Sequence, residues 1–334
     1  MRPYTVRVRD IGLAGVPFSG KSTLFTALTR AGAAGGRANQ AVVPVPDPRL
    51  AVLAEIERSA KTVPAQARFV DVPGGTASAQ GVAALREADA LCVVVRAFGP
   101  DQRPAAELED VDAELLLADL AVVESALEGA HKRARGGRSP SAEVDALERA
   151  HQALSGEKPL RDADLPDEDL AHLRGLAPLT LKPLVVVANL EEGKDVPPEL
   201  PEGTLGVWAS IEAETTEMEP EEARALLEEF GVKEPGLEKV VHACYSALDL
   251  ITFLTTGEDE TRAWEVRRGA AAPEAAGAIH TDLQRGFIRT EVVSYEDLVA
   301  CGGFDAAKHK GLLRVEGKDY VVQEGDVLHV RFAV

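Results

Sequence analysis

Residues 15–23 read GVPFSGKST, a G-x-x-x-x-G-K-S/T pattern. The pattern lies between the apolar end of RVRDIGLAGV (7–16) and LFTALTR (24–30). A strand running into a glycine loop and then a helix is the setting in which this motif cradles phosphate. Gly15 and Gly20 let the chain turn tightly. The loop between them, Val16, Pro17, Phe18 and Ser19, can then wrap its main chain around phosphate oxygens. The helix that opens with Lys21, Ser22 and Thr23 adds the positive end of its dipole. Lys21 is expected to neutralise the terminal phosphates, and the Ser22 hydroxyl to ligate Mg2+.

The rest of the chain supplies a sheet for this loop. ARFVDVPGG (67–75) reads as a strand ending in a turn. ADALCVVVRAF (88–98) and KPLVVVANLEE (182–192) are continuous apolar runs, the signature of strands buried on both faces. Strands alternating with helices predict a parallel sheet covered on both sides. Asp71 closes the second strand, where it can hold Mg2+, and Gly74 can offer its N–H to a terminal phosphate. Lys21, Asp71 and Gly74 are therefore the candidate catalytic set, and Ser22 and Asp71 the candidate metal pair.

Between the third and fourth strands the period changes. Leu116, Leu120, Val123, Leu127 and Ala130 fall at helical spacing, as do Val144, Leu147, His151 and Leu154. RGGRSP (135–140) separates them. Two antiparallel helices zipped along one seam are predicted. His151 falls on the seam, as a packed or edge residue. Towards the end, FIRTEVVSY (287–295), LLRVEGKDYVVQEG (312–325) and DVLHVRFAV (326–334) are strand-like, preceded by the helix-like APEAAGAIHTDLQRG (272–286). Val327, His329 and Arg331 alternate with Leu328, Val330 and Phe332, so one face is expected to be buried. A small α+β domain results. His280 reads as a capping or surface residue. Arg285, Arg289 and Arg331 form either a basic face suited to RNA or a solvated one.

Net charge is −19. The acid is concentrated in residues 101–262, which carry 15 Lys+Arg against 37 Asp+Glu. Nucleic-acid contact through the middle is disfavoured, and either end is left free to make one. Cys92, Cys244 and Cys301 lie far apart, with no disulfide or zinc spacing, which suits a reducing compartment. The N-terminus lacks an apolar core and no run of eighteen apolar residues occurs, so a cytoplasmic location without membrane association is expected.

Asn189-Leu190-Glu191-Glu192 closes the fourth strand. Guanine sites usually carry N-K-x-D there, with a short aspartate taking two hydrogen bonds from the base. In N-x-x-E the longer Glu192 crowds guanine and Leu190 replaces the lysine, so the sequence leans to adenine.

With these stretches in hand, the chain resembles the YchF-type Obg-like ATPases, a translation-factor branch of the P-loop proteins. VPVPDPRL (43–50), FVDVPG (69–74), LKPLVVVANLEE (181–192), SIEAE (210–214) and most of residues 251–298 and 311–332 carry the resemblance. It implies a Ras-like P-loop NTPase domain (1–104 and 178–262), an inserted helical coiled-coil arm (105–177), and a C-terminal TGS domain of ubiquitin-like β-grasp form (263–334). It also implies ATP bound in preference to GTP and slowly hydrolysed with Mg2+. Ser210 and Ile211 join Asn189, Leu190 and Glu192 around the base, and the ribosome or its RNA is met through the arm and the TGS domain. The oligomeric state is left open.

The chain departs from that pattern at both segments that sense a terminal phosphate. Residues 31–50 hold no threonine, and Gly75 follows Asp71–Gly74, ahead of a shortened TASAQGVAALREADAL (76–91). Binding is therefore expected to survive better than hydrolysis. A non-hydrolysing, nucleotide-stabilised binding module on ribosomes or RNA is the alternative. A small-molecule kinase shares only the P-loop.

Overall fold

The computed structural model describes residues 9–29, 39–72, 76, 78–135, 141–215, 218–230, 232 and 235–333. The chain runs β1 (Arg9–Ala14), α1 (Lys21–Thr29), β2 (Asn39–Pro44), α2 (Pro48–Glu57), β3 (Thr62–Val63) and β4 (Gln66–Asp71). Next come α3 (Ala79–Glu87), β5 (Ala90–Ala97), α4 (Pro104–Arg135), α5 (Ser141–Ser155), α6 (Asp167–Leu173) and β6 (Leu184–Leu190). Then follow β7 (Leu205–Val207), α7 (Ala209–Glu214), α8 (Pro220–Glu229), α9 (Gly236–Ala247), β8 (Leu250–Thr255) and β9 (Thr261–Arg267). The last elements are α10 (Ala272–Ile279), α11 (Thr281–Arg285), β10 (Phe287–Ser294), α12 (Tyr295–Cys301), α13 (Phe304–His309), β11 (Arg314–Glu316) and β12 (Asp326–Phe332). No helix among the described residues is long and apolar enough to cross a membrane.

Two compact units emerge. The first takes the described parts of 10–42 and 68–244. Its sheet has the order β2-β4-β1-β5-β6-β7, with β1, β5, β6 and β7 parallel. The apolar run in β5 occupies the centre: Leu91, Cys92, Val93, Val94 and Val95 are all fully buried. Each such valine contributes about 1.5–3 kcal/mol by leaving water. The P-loop α/β fold expected from the motif is what the chain forms.

The helical arm grows from this sheet. α4 has 32 residues, about 48 Å of helix. It packs along α5 around Val123, Ala130, Leu147, Ala150 and Leu154, with Leu116, Leu120, Leu127 and Val144 at the margins. That is the seam read from the 3-4 spacing. His151 sits at its edge, with Nε2 3.4 Å from Glu124 Oε1. The turn expected at RGGRSP falls on residues 136–140, which lie outside the described residues.

The base of the arm is tied by a buried carboxylate. Asp119 Oδ1 accepts from Arg86 Nη1 and Leu179 N, and Oδ2 from Thr180 N and Thr180 Oγ1, all within 2.7–2.9 Å. Arg86 also donates to the carbonyls of Ala118 and Ala177. The carboxylate thus joins α3, α4 and the chain returning to β6.

The second unit takes the described parts of 43–67 and 245–333. Its sheet has the order β11-β10-β12-β8-β9-β3, with β12 parallel to β8 and antiparallel to β10. α10 lies on one face, over a core of Ile251, Phe253, Val266, Val292 and Leu328. Residues 43–67 and 245–262 were expected in the nucleotide domain; they give β3, β8 and the start of β9 to this sheet instead, with Thr62 pairing in parallel with Thr261. The single helix expected over 272–286 is two: His280 is extended (φ −163°, ψ 142°) and its Nδ1 accepts Asp282 N, capping α11. Within 312–325 only β11 is a strand. Phe332 does not join the buried face expected for it; it is 43% exposed.

Cys92 and Cys244 are fully buried. A hydrogen bond with Cys92, then burial, pushes the Cys244 thiol well up. Cys301, ending α12, is partly exposed. Alkylation of the native protein with iodoacetamide is expected to modify Cys301 alone. Mass spectrometry showing Cys92 or Cys244 labelled before unfolding would contradict this packing.

Candidate phosphate and nucleotide site

β1 delivers the chain into the glycine loop through fully buried Ala14. Gly15 follows with φ +142°, and a Cβ there would lie 2.4 Å from the Val94 carbonyl of β5. Gly20 has φ +91°, and a Cβ there would lie 2.1 Å from Asn189 Nδ2. Both positions need glycine for conformation and for space. Between them Phe18 also takes a left-handed conformation (φ 67°) and is 90% exposed. Pro17 is exposed and Val16 half-buried. Ser19 N closes the turn onto Val16 O at 3.3 Å.

Lys21 opens α1, and its Nζ donates to Gly15 O (2.8 Å) and Val16 O (2.7 Å) across the mouth of the loop. Burial lowers the pKa of this ammonium, and Asp71, Glu107 and Glu114 oppose that shift. Ser22 Oγ donates to Asp71 Oδ2 at 2.8 Å, so the two candidate metal ligands are already in contact. The Ser19 hydroxyl is buried with no hydrogen-bond partner. Such a group costs about 1–3 kcal/mol unless something fills its valence. Thr23 is exposed beside Ser22 in the first turn, where the first N–H groups have no intrahelical acceptor. A lysine held by neutral carbonyls, an unpartnered hydroxyl, a helix N-terminus and a hydroxyl–carboxylate pair fit a Mg2+-bound polyphosphate. Gly74 lies outside the described residues.

The proposed base end is more divided. Asn189 Nδ2 donates to Ser19 O (3.2 Å) and Oδ1 accepts Ala209 N (3.3 Å). It thereby fastens the glycine loop to α7, whose first turn holds exposed Ser210 and half-buried Ile211. Leu190 goes the other way: it is 8% exposed, in the core with Val196 and Leu200. Only its backbone is brought to the site. Glu192 is exposed in the loop beyond β6. Trp208 Nε1 donates to Glu191 O at 2.8 Å and closes that loop back onto α7.

Two carboxylates near Lys21 carry no motif and were missed. Glu107 accepts Arg96 N at 2.7 Å from the first turn of α4. Glu114, seven residues on and thus on the same side of α4, accepts the hydroxyl of buried Thr76. Acidic residues on an exposed-looking helix give no sequence signal of this kind. Glu212, within SIEAE, is buried and accepts Leu237 N (2.9 Å). Burial raises its pKa, with N–H groups of Leu237, Gly236 and Trp208 opposing.

Known proteins agree with this architecture over nearly the whole chain. A family profile described as "50S ribosome-binding GTPase" matches residues 10–125. A second, for the C-terminal domain of YchF GTPases and described as "Protein of unknown function", matches 250–333. "Ribosome-binding ATPase YchF" of Bacillus subtilis strain 168 is 39% identical over 361 residues, covering 97% of this chain and 99% of the relative. The protein of that description from Haemophilus influenzae is 40% identical over 358 residues, with coverage of 97% and 99%. The solved Schizosaccharomyces pombe YchF GTPase superimposes with a TM-score of 0.85 at 28% identity, covering 97% of each chain.

Proposed function

The chain belongs to the YchF family, and from that premise we propose that it is a ribosome-associated ATPase that binds Mg·ATP in its glycine loop, prefers ATP to GTP, and hydrolyses it slowly. The observation that carries the nucleotide part is the state of the loop. Lys21 bridges two loop carbonyls, Ser22 already meets Asp71, and the Ser19 hydroxyl is buried without a partner. Lys21 and the loop amides would hold the phosphates; Ser22 and Asp71 would hold Mg2+, which supplies charge neutralisation when bound. Gly74, outside the described residues, keeps its proposed role toward a terminal phosphate. The ribosome part comes from the names of the relatives. The arm (105–177), inserted in the unit of 10–42 and 68–244 that carries the glycine loop, and the second unit of 43–67 and 245–333 are the proposed readout.

A non-hydrolysing module is favoured as the second reading by one observation. Residues 31–50 hold no threonine, and Thr76, after Asp71, is engaged by Glu114 of the arm. Thermal melting and phosphate release on one sample separate the two. Both readings expect saturating ATP to stabilise the fold, by about 2.7 kcal/mol at a hundred times Kd. Release of phosphate above a Lys21→Ala control is expected from the ATPase; stabilisation without release would leave only the module.

Base preference rests on Glu192. Glu192→Asp is expected to move the ATP/GTP affinity ratio about tenfold toward GTP, roughly one well-placed hydrogen bond. An unchanged ratio would show that this loop does not read the base. Leu190→Lys is unsuited to the test, since it would bury an ammonium in the core.

A further inference from the structure

Two hydroxyls in the unit that carries the glycine loop give their hydrogen to a carboxylate. Ser22 Oγ donates to Asp71 Oδ2, the pair proposed for Mg2+. Thr76 Oγ1 donates in the same way to Glu114 Oε2 of α4. A hydroxyl that has donated its one hydrogen keeps two lone pairs and can only accept. Glu114 therefore fixes Thr76 as an acceptor, in one orientation. Thr76 is buried, at 3% exposed. Within residues 72–80 Ser78 is the other hydroxyl, and its Oγ caps α3 by accepting Gly81 N at 3.0 Å.

The partner of Thr76 is itself held in place. α4 is tied to β5 by Glu107, which accepts Arg96 N at 2.7 Å, and to the end of α3 by Asp119, which accepts Arg86 Nη1 at 2.9 Å. Glu114 lies between these two ties. Burial lowers the pKa of Lys21, and among the charges that oppose it Glu114 stands with Asp71 and Glu107. Glu114 is thus close enough to the glycine loop to act on its lysine. Hydrolysis of a bound triphosphate needs a water held in line with the terminal phosphate. Residues 31–50 offer no threonine for this, and Gly75, directly after Gly74, has no side chain to offer. A buried hydroxyl oxygen with its lone pairs presented is the chemistry that is otherwise missing.

We propose that Thr76 Oγ1 accepts a hydrogen bond from the attacking water, and that Glu114 is the positioning residue that turns the hydroxyl to do so. This rests on the reading of the chain as an ATPase. The water oxygen bonds to the terminal phosphorus as the bond from that phosphorus to the ADP oxygen breaks. The electron pair of the broken bond leaves with ADP. One water hydrogen stays on the released phosphate, and the other passes to bulk water as a proton. Binding of Mg·ATP is left to the glycine loop, Ser22 and Asp71.

Single-turnover phosphate release and calorimetric titration of Mg·ATP, on the same preparations of the full chain, test the proposal. Thr76→Val is expected to slow release at least about tenfold while the Kd for Mg·ATP stays within about twofold of wild type. Glu114→Ala should do the same. Thr76→Ser keeps the hydroxyl, and Glu114→Gln keeps an oxygen to accept its hydrogen, so each should stay within about threefold of the wild-type rate. Because the two residues act as one unit, Thr76→Val/Glu114→Ala should be no slower than Thr76→Val alone. Melting temperatures without nucleotide give a readout apart from activity: the double variant should lose no more than the worse single variant. Should Thr76→Val fail to fold, Thr76→Ala read against Thr76→Ser decides. A wild-type rate in Thr76→Val, a loss of affinity in step with rate, or additive losses in the double variant would each overturn the proposal. Release by wild type that matches release by Thr76→Val sinks this role alone. ATP bound by wild type with no release above Lys21→Ala sinks the ATPase reading, and this role with it.

Discussion

Gly20→Ala should abolish nucleotide binding, lowering ATP affinity by at least about a hundredfold, while the second unit keeps its fold. The residue sits at φ +91°, and a new methyl would lie 2.1 Å from Asn189 Nδ2. The backbone cost alone is about 1–2 kcal/mol. The steric cost is worse, because Asn189 cannot retreat freely. Its amide holds Ser19 O on one side and Ala209 N on the other. Relief must come from the loop, and the loop amides are the proposed phosphate cradle. A displacement of about 1 Å there removes most of the charge-assisted contacts, each worth about 1.5–3 kcal/mol. Isothermal titration with Mg·ATP reads the loss. Wild-type affinity in the variant would mean that the loop has a conformation other than the one described.

The second large effect is on stability. Asp119→Ala should lower the unfolding free energy of the nucleotide-binding unit by about 3–5 kcal/mol, the cost of leaving a buried guanidinium uncompensated. Asp119 has a fully buried side chain and Arg86 one 16% exposed. Removing the carboxylate also strands the N–H groups of Leu179 and Thr180 and the Thr180 hydroxyl. Asp119→Asn keeps some acceptors and should cost less. Urea unfolding followed by circular dichroism gives both values. A wild-type midpoint for Asp119→Ala would show that water replaces the carboxylate without penalty.

Which parts of this structure could be read from residue order follows from the range of the forces that make them. The glycine loop, β5 and β6 announce themselves because each is a local pattern: a fixed spacing, or an unbroken apolar run buried from both sides. The arm was legible for the same reason, since the Leu116–Ala130 and Val144–Leu154 repeats need only helical geometry to form a seam. β3 was not. Two residues have no periodicity, and Thr62 becomes a strand only because Thr261, far along the chain, is there to pair with it. Grouping residues 43–67 with the C-terminal sheet depends on that long-range pairing and on the packing of α2.

The break at His280 was invisible to apolar spacing, which runs on through 272–286. The imidazole accepting Asp282 N is what ends one helix and starts another. Leu190 shows the limit of motif reading at the site itself. Its place in N-x-x-E puts its backbone at the proposed base end, but strand alternation and Gly206, with no side chain to block it, send the leucine into the core. A Cβ at Gly206 would lie only 2.6 Å from Leu190 Cδ1. Glu107 and Glu114 became visible near Lys21 only once α4 was placed against the sheet.

The loop from Gly15 to Thr23, with Asp71, is the proposed cradle for Mg·ATP. Calorimetric titration of Mg·ATP into the wild-type chain and into Lys21→Ala tests it most directly. One equivalent of ATP bound by wild type, more tightly than GTP and at least about a hundredfold more tightly than by the variant, is the expected result. No saturable heat with wild type, or the same affinity without Lys21, would contradict it.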